Sequence, residues 1–154
     1  MSDLQSLLTG TWELSRTVTG GHVMVGSAEF SLRPDGMLHY AESGTTLFSG
    51  ADRPITFSRS YLYLVGTGPL TIFFDEPQPR LFQHVELIEG PAGWRGEGYH
   101  LCTPDTYRSR YDFGRDGQLH MRHVVAGPRK DYVIETQLLR PGATPTLAPQ
   151  DPSC

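Results

Sequence analysis

From Thr11 to Arg140 the chain shows no helical periodicity. Short runs rich in β-branched and aromatic residues alternate with Gly, Pro and Asp, a pattern that restricts the chain to an antiparallel all-β domain. Pro34-Asp35-Gly36 and Arg115-Asp116-Gly117 are the clearest hairpin turns, because glycine supplies the positive φ at which the chain reverses. The one helical candidate is a single turn over Asp3 to Leu8, capped by Ser2 or Asp3 ahead of Gly10. Strands are expected over 11–19, 22–33, 36–49, 54–65, 69–76, 80–89, 94–102, 105–114, 118–126 and 131–140. The third could split at Gly44; read as one strand, it takes a bulge at that glycine. About ten strands is an even count, which lets first and last pair antiparallel and close a meander into a barrel with no free edge.

A chain of 154 residues fits one domain. The domain is read as 1–140, and the Pro-rich stretch 141–154, with no apolar face to bury, is read as a disordered tail. No apolar run approaches the roughly 18–20 residues of a membrane span, and Met1 to Gln5 lacks a basic region followed by an apolar one, so a cytoplasmic location is expected. The formal net charge of −4 argues against a general nucleic-acid binder. Cys102 and Cys154 have no Cys-x-x-Cys spacing for zinc or redox chemistry, and both thiols are expected free. His120 and His123, three apart on a strand, point to opposite faces and cannot share a metal ion. No Gly-x-Ser-x-Gly elbow, phosphate-binding loop or His-Glu-x-x-His helix is present.

Gly10-Thr11-Trp12 opens the first strand and Arg140 ends the last. This arrangement resembles the calycin superfamily of barrels, which includes lipocalins and fatty-acid-binding proteins, and it implies a guanidinium stacked on Trp12 to seal the closed end. More closely, the stretch from Gly10 to Arg140 resembles a family of small bacterial and fungal barrels known as a domain of unknown function. Its markers are Gly10-Thr11-Trp12 with Leu14 and Arg16, Leu38-x-Tyr40-x-Glu42-x-Gly44, Arg80-x-Phe82-x-His84, His100-x-Cys102-x-x-Asp105-x-Tyr107, and Gly127-Pro128-Arg129-Lys130-Asp131-Tyr132. That resemblance implies a barrel and brings no activity with it.

Period-two alternation then sorts the side chains. If Trp12 points inward, Leu14, Arg16 and Val18 follow, and Arg140 takes Thr136, Ile134 and Tyr132 with it. Leu38, Tyr40 and Glu42 are placed inside, as are Arg59 with Phe57, Tyr61 and Tyr63, Phe82 with His84, His100 with Cys102, and Tyr107 with Tyr111 and Phe113. Charged groups on inner faces require mutual pairing or a solvated cavity. Arg16, Tyr40, Glu42, Arg59, His84, His100 and Tyr107 are therefore the candidate ligand-binding residues, suited to a small amphipathic organic molecule with an anionic or carbonyl group. Arg53, Arg80, Arg129 and Lys130 gather on the loops of one end, the expected cavity mouth. The alternative is a cofactor-independent isomerase, cyclase or lyase in which His84 or His100 works with Glu42 as acid and base; a third is a protein-interaction module using the basic mouth. A neutral imidazole of His84 or His100 in the cavity could ligate haem iron, as in the nitrobindin branch of the calycin superfamily, but the N-terminal glycine-rich nitrobindin pattern is absent; no cofactor or metal is expected, with haem the alternative.

Overall fold

The computed structural model describes residues 1–47 and 53–142. Most of the expected Ser49–Pro54 turn, and the tail from residue 143, lie outside the described residues. Ser2 starts the helix α1 (Asp3–Leu8): its Oγ accepts from the Gln5 amide at 3.2 Å, and the Gln5 side chain accepts from the Ser2 amide at 2.9 Å. This reciprocal cap satisfies two amides that a one-and-a-half-turn helix leaves open. Leu4 and Leu8 are its buried residues.

Eleven antiparallel strands follow: β1 (Gly10–Val18), β2 (His22–Leu32), β3 (Leu38–Leu47), β4 (Ile55–Val65), β5 (Pro69–Phe74), β6 (Leu81–Glu86), β7 (Ile88–Gly90), β8 (Gly93–Cys102), β9 (Asp105–Gly114), β10 (Gln118–Ala126) and β11 (Asp131–Leu139). They form one sheet in the order β6-β5-β4-β3-β2-β1-β11-β10-β9-β8-β7. First and last long strands pair antiparallel, Leu14 opposite Leu138 and Arg16 opposite Thr136, which wraps the meander into a nearly closed barrel. Gly36 and Gly117 take positive φ at the two hairpins expected from the sequence.

Three details depart from the sequence reading. The expected strand 80–89 breaks at Leu87, whose amide bonds to the Gly68 carbonyl. Its first half pairs with β5 and its second half with β8, so ten strands become eleven where one strand changes partner. Gly44 makes no bulge: it faces Gly26 in an unbroken β2–β3 ladder. A bulge occurs instead at Phe82, because Ile72 pairs with Gln83 while Phe73 pairs with Leu81.

No ladder joins β6 to β8, yet the two pack side by side. Glycines on β8 make this seam: a Cβ on Gly96 would lie 2.7 Å from Val85 Cγ1, and one on Gly98 would collide with the Gln83 side chain. The side chains of β6 thus occupy the space that β8 leaves bare.

The half of the barrel near α1 is solid. Trp12, Leu38, Leu70, Phe113, Leu119 and Leu138 are buried there with Leu8. The Arg140 guanidinium lies 3.9 Å from the centre of the Trp12 ring and donates to the carbonyls of Leu7, Thr9 and Thr11, while Trp12 Nε1 donates to the Leu8 carbonyl at 2.8 Å. One side chain therefore ties helix, first strand and last strand together. Replacing it (Arg140→Ala) removes charge-assisted hydrogen bonds and the stacking contact together and is expected to cost about 2–3 kcal/mol, read from the urea midpoint at constant m-value. Among the described residues no helix is long and apolar enough to cross a membrane.

Candidate functional site

Away from the helix end the barrel is hollow. A cavity of about 440 Å³ falls within the ~300–1,000 Å³ range of small-molecule pockets. Tyr63, Ile72, Tyr111 and Met121 line it on the side of the solid core. Its walls come from the halves of the strands nearer the β1–β2, β5–β6, β8–β9 and β10–β11 turns, with Val18, His22, Met24, Thr46, Phe74, Phe82, Cys102, Tyr132 and Ile134 among them.

A buried ion pair spans the wall. Arg16 Nη1 and Nη2 each donate to one Glu42 oxygen at 2.7 Å, Arg16 Nε donates to Thr136 Oγ1 at 2.8 Å, and the Tyr40 hydroxyl donates to Glu42 Oε2 at 2.6 Å. The register explains the reach. Arg16 is opposite Met24 and Glu42 opposite Ala28, so the bridge crosses β2 near Gly26, where the strand carries no side chain. Burial alone would raise the Glu42 pKa, but the hydrogen bonds and charge of Arg16, with the Tyr40 hydroxyl, outweigh it and hold the carboxyl below its ordinary value. Burial likewise opposes the charge on Arg16, and Glu42 outweighs it, so Arg16 is held more firmly protonated. Burial, and after it the Glu42 charge, push the Tyr40 phenol well up.

Arg59 stands opposite Glu42 on β4 and lines the same cavity. Two residues on, Tyr61 stacks against Phe82 at 5.6 Å between centroids. His100 meets Phe82 and Phe74 edge-on at 5.3 and 5.9 Å and lies 5.9 Å from Tyr107. Burial, then the nearby Arg80 charge, lower the His100 pKa, opposed by a backbone hydrogen bond at Phe82. Burial raises that of Tyr107.

His84 does not join them. The extra residue at Phe82 reverses the alternation, so Phe82 and Gln83 both turn inward and His84 turns out, where its ring nitrogens sit 3.3 Å from Thr71 Oγ1 and 3.1 Å from Glu86. His84, expected inside the barrel as a ligand-binding residue and as one of two histidines that could work with Glu42, is therefore on the outer surface. Of the basic residues placed at the mouth, Arg80 is held by both oxygens of Glu76 and covers the Phe74 ring at 4.7 Å. Lys130 pairs with Asp105 at 2.9 Å. Arg53 and Arg129 are exposed on loops of that end.

The residue passed over from the sequence is His123. It shares the inward phase of Leu119, Met121 and Val125, and that alternation was the available signal. Its partner His120 is on the outer face, 3.0 Å from Glu135. His123 Nδ1 lies 2.6 Å from Ser109 Oγ, which accepts from Gln83 Nε2 at 2.9 Å. Burial first, then the Arg16 charge, with Arg59 adding and Glu42 opposing, push the imidazole pKa down to about 4. A neutral ring accepting at Nδ1 carries its proton on Nε2.

A base with a folded pKa below its unfolded one binds protons more readily unfolded. Stability therefore falls as pH drops below the ordinary value of 6.5, and the loss levels off near 4. Between pH 7 and pH 5 this amounts to about 2 kcal/mol. Urea titrations at the two pH values are expected to show it in the wild type and to show a flattened dependence in His123→Gln.

Among solved structures, a redesigned β-barrel, mFAP1, bound to DFHBI matches with a TM-score of 0.50 at 18% identity, over 90% of this chain and 100% of that one. A second redesigned barrel, b11L5F_LGL, matches with a TM-score of 0.48 at 16% identity, over 91% of this chain and 96% of that one. At these identities the likeness concerns the fold alone. No curated protein matches the sequence. Residues 8–140, from the end of α1 through the Arg140 clamp, match the model described as Family of unknown function (DUF6314), and the chain belongs to that family.

Proposed function

We propose that the protein binds a small amphipathic organic molecule, one carrying an anionic or carbonyl group, inside the barrel. The observation that carries this reading is the combination of a 440 Å³ cavity with aromatic walls and convergent polar groups, beside a half of the barrel that is fully packed. A chain needing only stability fills its interior, since voids cost cohesion. We also read the barrel as calycin-like, on the strength of the Arg140 guanidinium stacked on Trp12.

The acid–base alternative finds less support. His84 is outside, and Glu42 is locked as a carboxylate by Arg16, so it is poorly suited to give up a proton near neutrality. The test combines native mass spectrometry of the purified protein with a thermal-shift screen of small organic acids and carbonyl compounds. A ligand at a hundredfold its Kd adds about 2.7 kcal/mol, visible as a raised melting temperature. A screen with no stabilising compound, together with a spectrum showing only the bare polypeptide, would overturn the proposal.

A further inference from the structure

The side chains lining the cavity that carry a full charge near neutrality are two arginines and one carboxylate, among the described residues. Arg16 and Glu42 cancel each other, and Nε, Nη1 and Nη2 of Arg16 are all engaged. That leaves Arg59. It makes no hydrogen bond or ion pair with any described residue, although its charge is felt at both Glu42 and His123. Among the described residues the cavity thus holds one positive charge more than it balances, on a guanidinium whose planar fork matches a carboxylate. A few ångströms along the same strand the chemistry changes: Tyr61 and Phe82 stack at 24° between planes, and Tyr61 also lies parallel to Tyr40 at 28°. Flat ring surfaces next to a free guanidinium select a flat ligand with a charged end.

We infer that the ligand is an aromatic monoanion, its carboxylate taken by Arg59 and its ring laid against Tyr61 and Phe82. This rests on the reading that the cavity binds a small organic molecule, and it assigns the anion to Arg59 rather than to the more deeply buried Arg16. An aromatic cation is refused by the same unbalanced charge, and a neutral aromatic gains only the ring contacts.

Three probes of one shape separate these contributions: 2-naphthoate, 2-naphthamide and 2-naphthylmethylammonium, titrated calorimetrically into the full-length protein at pH 7.5. The naphthoate is expected to bind at least tenfold more tightly than the amide, and the ammonium more weakly than either. In Arg59→Met the naphthoate is expected to lose at least tenfold while the amide stays within twofold; Arg59 is exposed, and circular dichroism checks that the variant is folded. In Arg59→Lys, which keeps the charge and loses the fork, part of the naphthoate preference is expected to survive. If the amide or ammonium binds wild type as tightly as the naphthoate, or if Arg59→Met leaves the preference intact, the assignment to Arg59 fails while the cavity reading stands. If none of the three binds at millimolar concentration, the assignment of an aromatic monoanion to Arg59 fails, while the cavity reading stands or falls on the thermal-shift screen and the native mass spectrum.

Discussion

Glu42→Ala is expected to lower the stability of the fold by about 3–5 kcal/mol, the usual cost of stripping one partner from a buried ion pair. The variant leaves the Arg16 guanidinium with two donors unmet and no counter-charge, and arginine cannot escape by losing its proton. The opposite single variant, Arg16→Met, leaves a carboxyl group that can neutralise itself and still meet the Tyr40 hydroxyl. Its cost is therefore expected to shrink between pH 7 and pH 5, whereas that of Glu42→Ala stays. In the double variant Arg16→Met with Glu42→Leu neither charge is left alone, so its cost is expected to fall well below the sum of the singles; Thr136 and Tyr40 then each lose one hydrogen bond, about 1 kcal/mol apiece. Urea titrations at both pH values read all three. Additive costs in the double variant, or a pH-independent Arg16→Met, would mean that the two residues act separately and that the bridge does not set the polar wall of the cavity.

That bridge is largely legible in the sequence. Alternation from Trp12 puts Arg16 inside, and alternation from Leu38 puts Glu42 inside. Two opposite charges on inner faces of a barrel have few ways to avoid the desolvation penalty except by meeting. The same alternation puts Arg59, Tyr61, His100, Tyr107 and Ile134 on the cavity; the strand count brings Arg140 and Trp12 to one end, and the stacking of one on the other comes only from the resemblance carried by Gly10-Thr11-Trp12. Alternation fails where the ladder gains a residue. In Leu81 to Leu87 the apolar residues do not keep one phase, since Phe82 and Val85 differ by three, and that conflict is the mark of the bulge that sends His84 outside. Gly44 misled for a related reason. An isolated glycine in a strand signals either a bulge or a close approach of backbones, and only knowledge of its cross-strand partner, Gly26, separates the two. His123 and His120 suggest a metal pair, and the three-residue spacing that rules the pair out also implies that one member faces the interior.

Gly26→Ala is expected to be the other severe substitution, although it adds one methyl group. Gly26 has no positive φ, so its backbone conformation is open to any residue, and the cost comes from contact alone. A Cβ there would sit 2.6 Å from the Gly44 Cα and closer still to the Ser43 carbonyl oxygen. These are backbone atoms of a hydrogen-bonded ladder and cannot swing aside as a side-chain tip would. The penalty is expected at or above the top of the ~1–3 kcal/mol range for overpacking, and the forced separation of β2 from β3 falls where Arg16 reaches across to Glu42. Two other glycines isolate the cause. Gly36 meets nothing within 4 Å but holds a φ of +87°, so Gly36→Ala should lose about 1–2 kcal/mol through conformation alone. Gly68 also meets nothing and has no positive φ, so Gly68→Ala should be neutral or slightly stabilising through the unfolded chain. Chemical denaturation of the three variants is expected to rank them Gly26 far below Gly36, and Gly36 below Gly68. A Gly26→Ala protein as stable as Gly68→Ala would show that the two strands can part without loss, and the Arg16–Glu42 bridge would then owe nothing to their close approach.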